Sequence, residues 1–198
     1  MTTYPSLEAG RYYHVYNRGN NREDLFREPR NYDFFLERYA RHVAPVVDTF
    51  AYCLLRNHFH LLIRVRPEAD WPDARGPARR FANLFSSYAK AINNAYGRTG
   101  SLFQKRFGRI EVTSERYLAH LVCYIHHNPQ RHGFVDDFRT YPYSSYRALL
   151  AAGRPTRLRR DEVLAWFGGA DGFRAAHAAG DAASRAAPLI DHDFEHQV

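Results

Sequence analysis

Val46-Val47-Asp48-Thr49-Phe50-Ala51-Tyr52-Cys53-Leu54-Leu55-Arg56-Asn57-His58-Phe59-His60-Leu61-Leu62-Ile63-Arg64-Val65 is the stretch on which the fold turns. Residues 46–54 and 58–65 are rich in β-branched, aromatic and aliphatic side chains. They flank a short turn at Leu55–Asn57, which predicts a β-hairpin. Upstream, Tyr12-Tyr13-His14-Val15-Tyr16-Asn17 reads as a strand ended by Arg18-Gly19-Asn20-Asn21, and residues 30–43 read as a helix. Downstream, residues 67–78 hold three prolines, two aspartates and a glycine and read as a loop. Residues 79–95 are helical in pattern and Gly97 and Gly100 end the run. A further strand is expected at 107–112, then a helix from Ser114 to His127 broken by Pro129. The order β, α, hairpin, α, β, α predicts an α+β unit with an antiparallel sheet and helices packed on one face.

That unit is expected to occupy residues 1–150. Residues 151–198 read as a basic linker, Ala151-Ala152-Gly153-Arg154-Pro155-Thr156-Arg157-Leu158-Arg159-Arg160, and a short helical, alanine-rich tail that ends acidic at Asp191, Asp193 and Glu195. The 198 residues allow one domain with a real core and a small appendage. A hydrophobic content of 45% excludes a disordered chain. Cys53 and Cys123 are the only cysteines and each lies in an apolar run, so no disulfide framework is expected. The start lacks a basic segment followed by an apolar one, and no apolar run is long enough for a bilayer. A cytoplasmic protein without a membrane partner is expected.

Twenty-eight basic residues against 21 acidic ones give a net charge of +7, and lysine occurs only at Lys90 and Lys105. Arginine grips phosphate with a bidentate fork, so the bias suits a polyanionic partner. The charge is unevenly spread. Residues 79–110 carry Arg79, Arg80, Lys90, Arg98, Lys105, Arg106 and Arg109 and no acidic residue. Tyr88, Tyr96, Phe103 and Phe107 are interleaved with them, a pattern suited to stacking on bases beside phosphate contacts. Arg98, Lys105, Arg106 and Arg109 are therefore candidate DNA contacts, with Arg18 and Arg22 in the loop after the first strand. A solvated helix face is the alternative for Arg79, Arg80 and Lys90.

His58 and His60 alternate on a strand, so both imidazoles point to one face while Phe59 points into the core. In Leu121-Val122-Cys123-Tyr124-Ile125-His126-His127-Asn128-Pro129, Tyr124 and Asn128 stand one helical turn apart, with His127 near the same face. A cation held by His58, His60 and the Asn128 amide oxygen would sit close to the Tyr124 hydroxyl. Such ligands suit Mg²⁺ or Mn²⁺, with water and phosphate completing the shell. The alternative is that Tyr124 packs in the core and Asn128 caps the helix before Pro129. Spacing alone leaves both readings open.

Several motifs in fixed order resemble the single-tyrosine transposases of the HUH nuclease superfamily, the IS200/IS605 type. The likeness is greatest to the branch associated with repetitive extragenic palindromes (REP). They are residues 13–22 (YHVYNRGNNR), 51–62 (AYCLLRNHFHLL), 94–107 (NAYGRTGSLFQKRF), 124–129 (YIHHNP) and 141–146 (YPYSSY). The resemblance spans residues 12–149. It implies a ferredoxin-like (RRM-like) core, the histidine pair at His58 and His60, the nucleophile at Tyr124 and a third ligand at Asn128. It also implies the chemistry: metal-dependent nicking and rejoining of single-stranded DNA near a palindromic hairpin, through a covalent 5′-phosphotyrosine. His127 is a candidate helper for the phenol, whose free pKa lies near 10. Relatives act as paired dimers or as monomers, so monomer and homodimer both remain open. The rival readings are a non-catalytic, domesticated DNA-binding protein on the same scaffold and a metal nuclease that uses water.

Overall fold

A computed structural model of the chain describes residues 4–184. The expected acidic end of the tail lies outside the described residues. Four strands form one antiparallel sheet: β1 (Tyr12–Arg18), β2 (Val47–Leu55), β3 (His58–Val65) and β4 (Gly108–Val112). Their spatial order is β2-β3-β1-β4. With α1 (Pro29–His42) crossing from β1 to β2 and α2 (Pro77–Ala95) from β3 to β4, this is the ferredoxin-like arrangement the sequence predicts. The hairpin turn is two residues long, Arg56-Asn57, because Leu55 pairs directly with His58.

Strand alternation sorts the side chains. Tyr13 and Val15 of β1 and Phe59, Leu61, Ile63 and Val65 of β3 pack with α1 and α2 into one core. α1 starts at Pro29, where a missing N–H costs nothing, and Asn31 reaches back to the Glu28 backbone N–H at 3.1 Å.

Helices cover both faces of the sheet, which corrects the expectation of one. α3 (Glu115–Arg131) packs on the opposite face with Ala51, Cys53, Leu55 and Leu62. α4 (Tyr146–Leu150), α5 (Arg160–Ala165) and α6 (Ala170–Ser184) join it, burying Val163 and Phe173. A β-bulge between Thr49 and Ala51 gives this face an extra aromatic, since Phe50 and Ala51 both contribute to the second core. Residues 151–184, the described part of what reads as a linker and tail, are thus built into the domain. Leu158 bridges Thr49, and the Arg159 N–H donates to the Thr49 carbonyl at 2.9 Å. Arg64 of β3 holds Glu162 of α5 at 2.9 Å and Asp48 of β2 at 2.7 Å.

Pro129 does not break α3, which runs on to Arg131. Proline removes one hydrogen bond here, close to the C-terminal turn where the carbonyl ladder is ending in any case. The extra turn matters, because it carries Asn128 and Arg131 on the same stripe as Tyr124. The 141–145 segment seals the outer edge of β2: the Leu54 N–H donates to the Tyr143 carbonyl, and Tyr141 Oη donates to the Leu54 carbonyl at 2.8 Å. Cys53 and Cys123 are free thiols. Among the described residues no helix is long and apolar enough to cross a membrane.

Candidate active site

The site lies between β1 and β3 and the C-terminal half of α3. His58 and His60 point to the α3 face, as their alternation requires, and are 2% and 1% exposed. Their rings stand 5.3 Å apart. The His58 Nδ1–H donates to Asn57 Oδ1 at 2.7 Å, since an amide oxygen can only accept. The proton is thereby kept on Nδ1 and the lone pair on Nε2, the form that binds a cation. Burial pushes His58 down to about 3, helped by the charges of His132 and Arg18. Burial also holds His60 well below the usual range, with His14, His58, His132 and Arg131 adding to it. Both ligand candidates are therefore neutral at physiological pH, as coordination demands.

α3 brings Tyr124 over this face. The helix begins at Ser114, whose hydroxyl accepts from the Tyr117 N–H, and Glu115 sits in its first turn. The Tyr124 ring packs edge-on to His60 at 5.7 Å and to His14 at 6.1 Å. The Arg131 guanidinium lies 5.1 Å from the centre of the same ring. One turn along from Tyr124, the Asn128 amide N–H donates to the Tyr124 carbonyl at 2.8 Å. That bond fixes the amide's orientation. It leaves Asn128 Oδ1 buried without a hydrogen-bond partner, in a residue only 1% exposed. A buried oxygen in that condition costs about 1–3 kcal/mol, which a cation ligand role would offset.

The donor set fits a hard or borderline divalent cation with open positions: two neutral imidazoles and one unsatisfied amide oxygen. It does not resemble a closed structural centre. Among the described residues no three His, Cys, Asp or Glu side chains stand together as a ligand group.

Two site residues are absent from the sequence reading. His14, 1% exposed, places Nε2 2.9 Å from His60 Nδ1. His132, at the C-terminal cap of α3, brings its ring to 4.9 Å from that of His58. The first was visible as a polar residue inside an apolar strand. The second was hidden because the helix was expected to stop before it.

The predicted DNA contacts divide. Arg18 stands opposite His58 in the pairing of β1 with β3, on the histidine face of the sheet. The Gln104 N–H donates to the Arg18 carbonyl at 2.9 Å, and the Asn20 N–H to the Leu102 carbonyl at 2.9 Å. These bonds fasten the 101–107 segment beside β1. They form one wall of a cleft of about 550 Å³ lined by Phe85, Phe107, Gln104, Lys105, Arg106 and Arg109. Lys105 and Arg106 are exposed, and the Arg109 guanidinium lies 4.9 Å over the Phe107 ring. Arg109 pairs with Val15, so it faces the α2 side of the sheet. The cleft and the histidine face therefore lie on opposite faces of the sheet. Arg22 is exposed at the tip of the turn after β1, with φ at 61°.

Arg98 and His127 are positioned otherwise than the sequence reading held. Arg98 bonds Glu23 through Nε at 2.9 Å and Asn93 at 2.6 Å, and only 10% of its side chain is exposed. It latches the end of α2 to the turn after β1, and its guanidinium is already committed. His127 donates from Nδ1 to the Cys123 carbonyl at 2.8 Å, and its ring packs on Phe138 at 4.1 Å and on His177 at 5.8 Å. Gly180 of α6 sits against it, and a Cβ there would come within 2.9 Å of its ring. His127 is an anchor for α6, and the helper role expected of it has no support in these neighbours.

No protein-family model matches the chain. A single-tyrosine transposase of the HUH type is the class that the sheet order, the histidine pair and the facing tyrosine resemble. The chain is 31% identical over 108 residues to a putative REP-associated tyrosine transposase of Haemophilus influenzae. That match takes in 50% of this chain and 58% of the relative, so the chain spans little more than half of the relative's length. A solved structure of a REP-associated tyrosine transposase bound to a REP hairpin superposes with a TM-score of 0.60 at 19% identity. It covers 79% of this chain and 90% of the other. The fold is shared with that protein, and the resemblance read from the sequence motifs is borne out.

Proposed function

We propose that this chain is a DNA transposase of the REP-associated, single-tyrosine type. It nicks and rejoins single-stranded DNA at or near palindromic hairpins through a 5′-phosphotyrosine. The observation that carries the reading is the juxtaposition of Tyr124 with His60, 5.7 Å between rings, and the unsatisfied Asn128 oxygen one turn along the same helix. The DNA-bound relative and the transposase relative support the choice of substrate.

His58 and His60, through their lone pairs, and Asn128 Oδ1 would hold Mg²⁺ or Mn²⁺. When bound, the cation supplies Lewis-acid activation of the scissile phosphate. The chain's own residues do the rest. Arg18 and the Lys105–Arg106 wall would draw in the backbone, and Phe107 offers a ring for a base to stack on. The Tyr124 phenol gives up its proton and its oxygen attacks phosphorus. The bond from phosphorus to the 3′ oxygen breaks, and that oxygen takes up a proton to leave as a 3′-hydroxyl. The new phosphotyrosine ester conserves the energy of the phosphodiester, so attack by a 3′-hydroxyl can rejoin strands. Arg131, stacked over the Tyr124 ring, would stabilise the phenolate by its charge.

The test is a denaturing gel of the protein with single-stranded DNA from its genomic flanks, with Mg²⁺ or Mn²⁺, with EDTA, and with Tyr124→Phe. A metal-dependent, protease-sensitive adduct lost in the Tyr124→Phe and EDTA lanes is expected. Cleavage without an adduct, unchanged in the variant, would assign the reaction to a water nucleophile. Binding of a native flank without cleavage would make the chain a DNA-binding protein on this scaffold.

A further inference from the structure

His14 occupies the middle of β1, on the face that carries His58 and His60. Its ring is stacked on His60 at 5.1 Å with an 18° tilt, and its Nε2 lies 2.9 Å from His60 Nδ1. A hydrogen bond between two neutral imidazoles needs one N–H and one lone pair, so the pair has two arrangements. If His14 donates, His60 accepts at Nδ1 and carries its proton on Nε2, where it would repel a cation. If His60 donates from Nδ1, its Nε2 keeps the lone pair. The second arrangement alone lets His60 serve as a ligand.

We propose that His14 is a positioning residue for His60: it accepts the Nδ1–H bond and so orients the ring and presents Nε2 to the divalent cation. The inference rests on the reading of His60 as a ligand. Two observations support it. His58 carries the same device built from different chemistry, with Asn57 Oδ1 accepting from its Nδ1 at 2.7 Å. Each ligand thus has its own acceptor, one from the hairpin turn and one from the neighbouring strand. Moreover, His14 Nδ1 is buried without a hydrogen-bond partner. A side chain chosen for packing alone would not bring that unsatisfied nitrogen into the interior, because burying it costs free energy. Acceptors behind metal-bound histidines commonly govern affinity by 10- to 100-fold.

The experiment compares Mn²⁺ affinity, read by electron paramagnetic resonance of free Mn²⁺, in the parent, His14→Phe, His14→Gln and His60→Ala proteins. Phenylalanine keeps the ring but removes the acceptor. Glutamine carries a carbonyl oxygen near the position of Nε2. The expected result is a loss on the order of tenfold or more in His14→Phe, recovery to near the parent in His14→Gln, and loss of binding in His60→Ala. Long-range ¹H–¹⁵N spectra of the Mg²⁺-saturated parent should find His60 protonated at Nδ1, a readout that needs no variant to fold. Parent-like Mn²⁺ binding by His14→Phe, with binding lost in His60→Ala, overturns this inference alone. So does a His60 protonated at Nε2, or a His14→Gln as weak as His14→Phe. Parent-like binding by His60→Ala, or a parent that binds no Mn²⁺, overturns the metal reading of the site and this inference with it.

Discussion

Gly108 of β4 lies directly across from Tyr16 of β1, and a Cβ built at Gly108 would fall inside the van der Waals envelope of the Tyr16 ring. Tyr16 in turn lies 5.1 Å from the His14 ring and 6.2 Å from that of His60. The glycine is required by close approach, and its backbone is ordinary strand. Gly108→Ala should therefore push Tyr16 into the histidine layer, at a stability cost of about 1–3 kcal/mol for overpacking. Adduct formation should fall tenfold or more while the far core stays intact. Adduct rates and thermal unfolding of the variant check this, and a parent-like rate would show that the Tyr16 ring has another way to turn.

Asn128→Ala separates the structural reading of that residue from the ligand reading. The substitution removes a buried oxygen that has no hydrogen-bond partner, along with one amide bond to the Tyr124 carbonyl. These effects oppose each other, and the melting temperature should change by no more than a few degrees. Mn²⁺ affinity and adduct yield should both drop by tenfold or more. A large loss of stability with unchanged metal affinity would make Asn128 a helix-end residue only.

The basic residues should split into two kinds under salt titration. Lys105→Ala or Arg106→Ala should weaken single-stranded DNA binding and lower the magnitude of the log–log salt slope by about 0.7 for each phosphate no longer neutralised. Arg98→Ala should leave the slope unchanged and destabilise the fold, because Glu23 and Asn93 would be deprived of their shared partner. Affinity measured between low and moderate salt, beside urea unfolding, distinguishes them.

Acid should loosen the packing of α6 on α3. The His177 Nδ1–H donates to the Phe173 carbonyl at 2.8 Å, which leaves Nε2 to accept from His126 Nδ1 at 2.8 Å. Burial pushes His177 down to about 4 and His126 well below the usual range. An unfolded histidine titrates near 6.5. Between about 6.5 and 4 the unfolded chain binds a proton that native His177 refuses, so its contribution to stability is full above that window and falls as pH drops through it. The slope from one such group reaches at most roughly 1.4 kcal/mol per pH unit. Urea midpoints at pH 7, 6 and 5 should decline steadily, and a flat profile would contradict the neutral, hydrogen-bonded arrangement.

Much of this architecture was legible because periodicity is a local property. The alternation of His58, Phe59 and His60 gives the face of each side chain from three letters, and the Tyr124–Asn128 spacing gives the facing stripe. The features that escaped depend on neighbours distant in sequence. Coverage of the second face needs Val163 of α5 and Phe173 of α6 to join one core with Phe50 of β2, and the bulge at Thr49–Ala51 shifts alternation in a way no pattern announces. Arg98 looks like a DNA contact until Glu23 is brought to it. His127 lies near the right stripe of α3 and still turns away, because Phe138 and Gly180 offer it a tighter seat.

The two-residue turn at Arg56-Asn57 couples chemistry to topology more tightly than a longer loop would. A slip of one residue between β2 and β3 would send Phe59 to the α3 face and carry both histidines into the aromatic layer under α1 and α2. Asn57 would move with them, away from the imidazole it holds. A misregistered sheet would then be inert, with no altered specificity to betray it. Heterogeneity in folding should therefore appear as a silent fraction in active-site titration, and the molecules that do form an adduct should be uniform in where they cut.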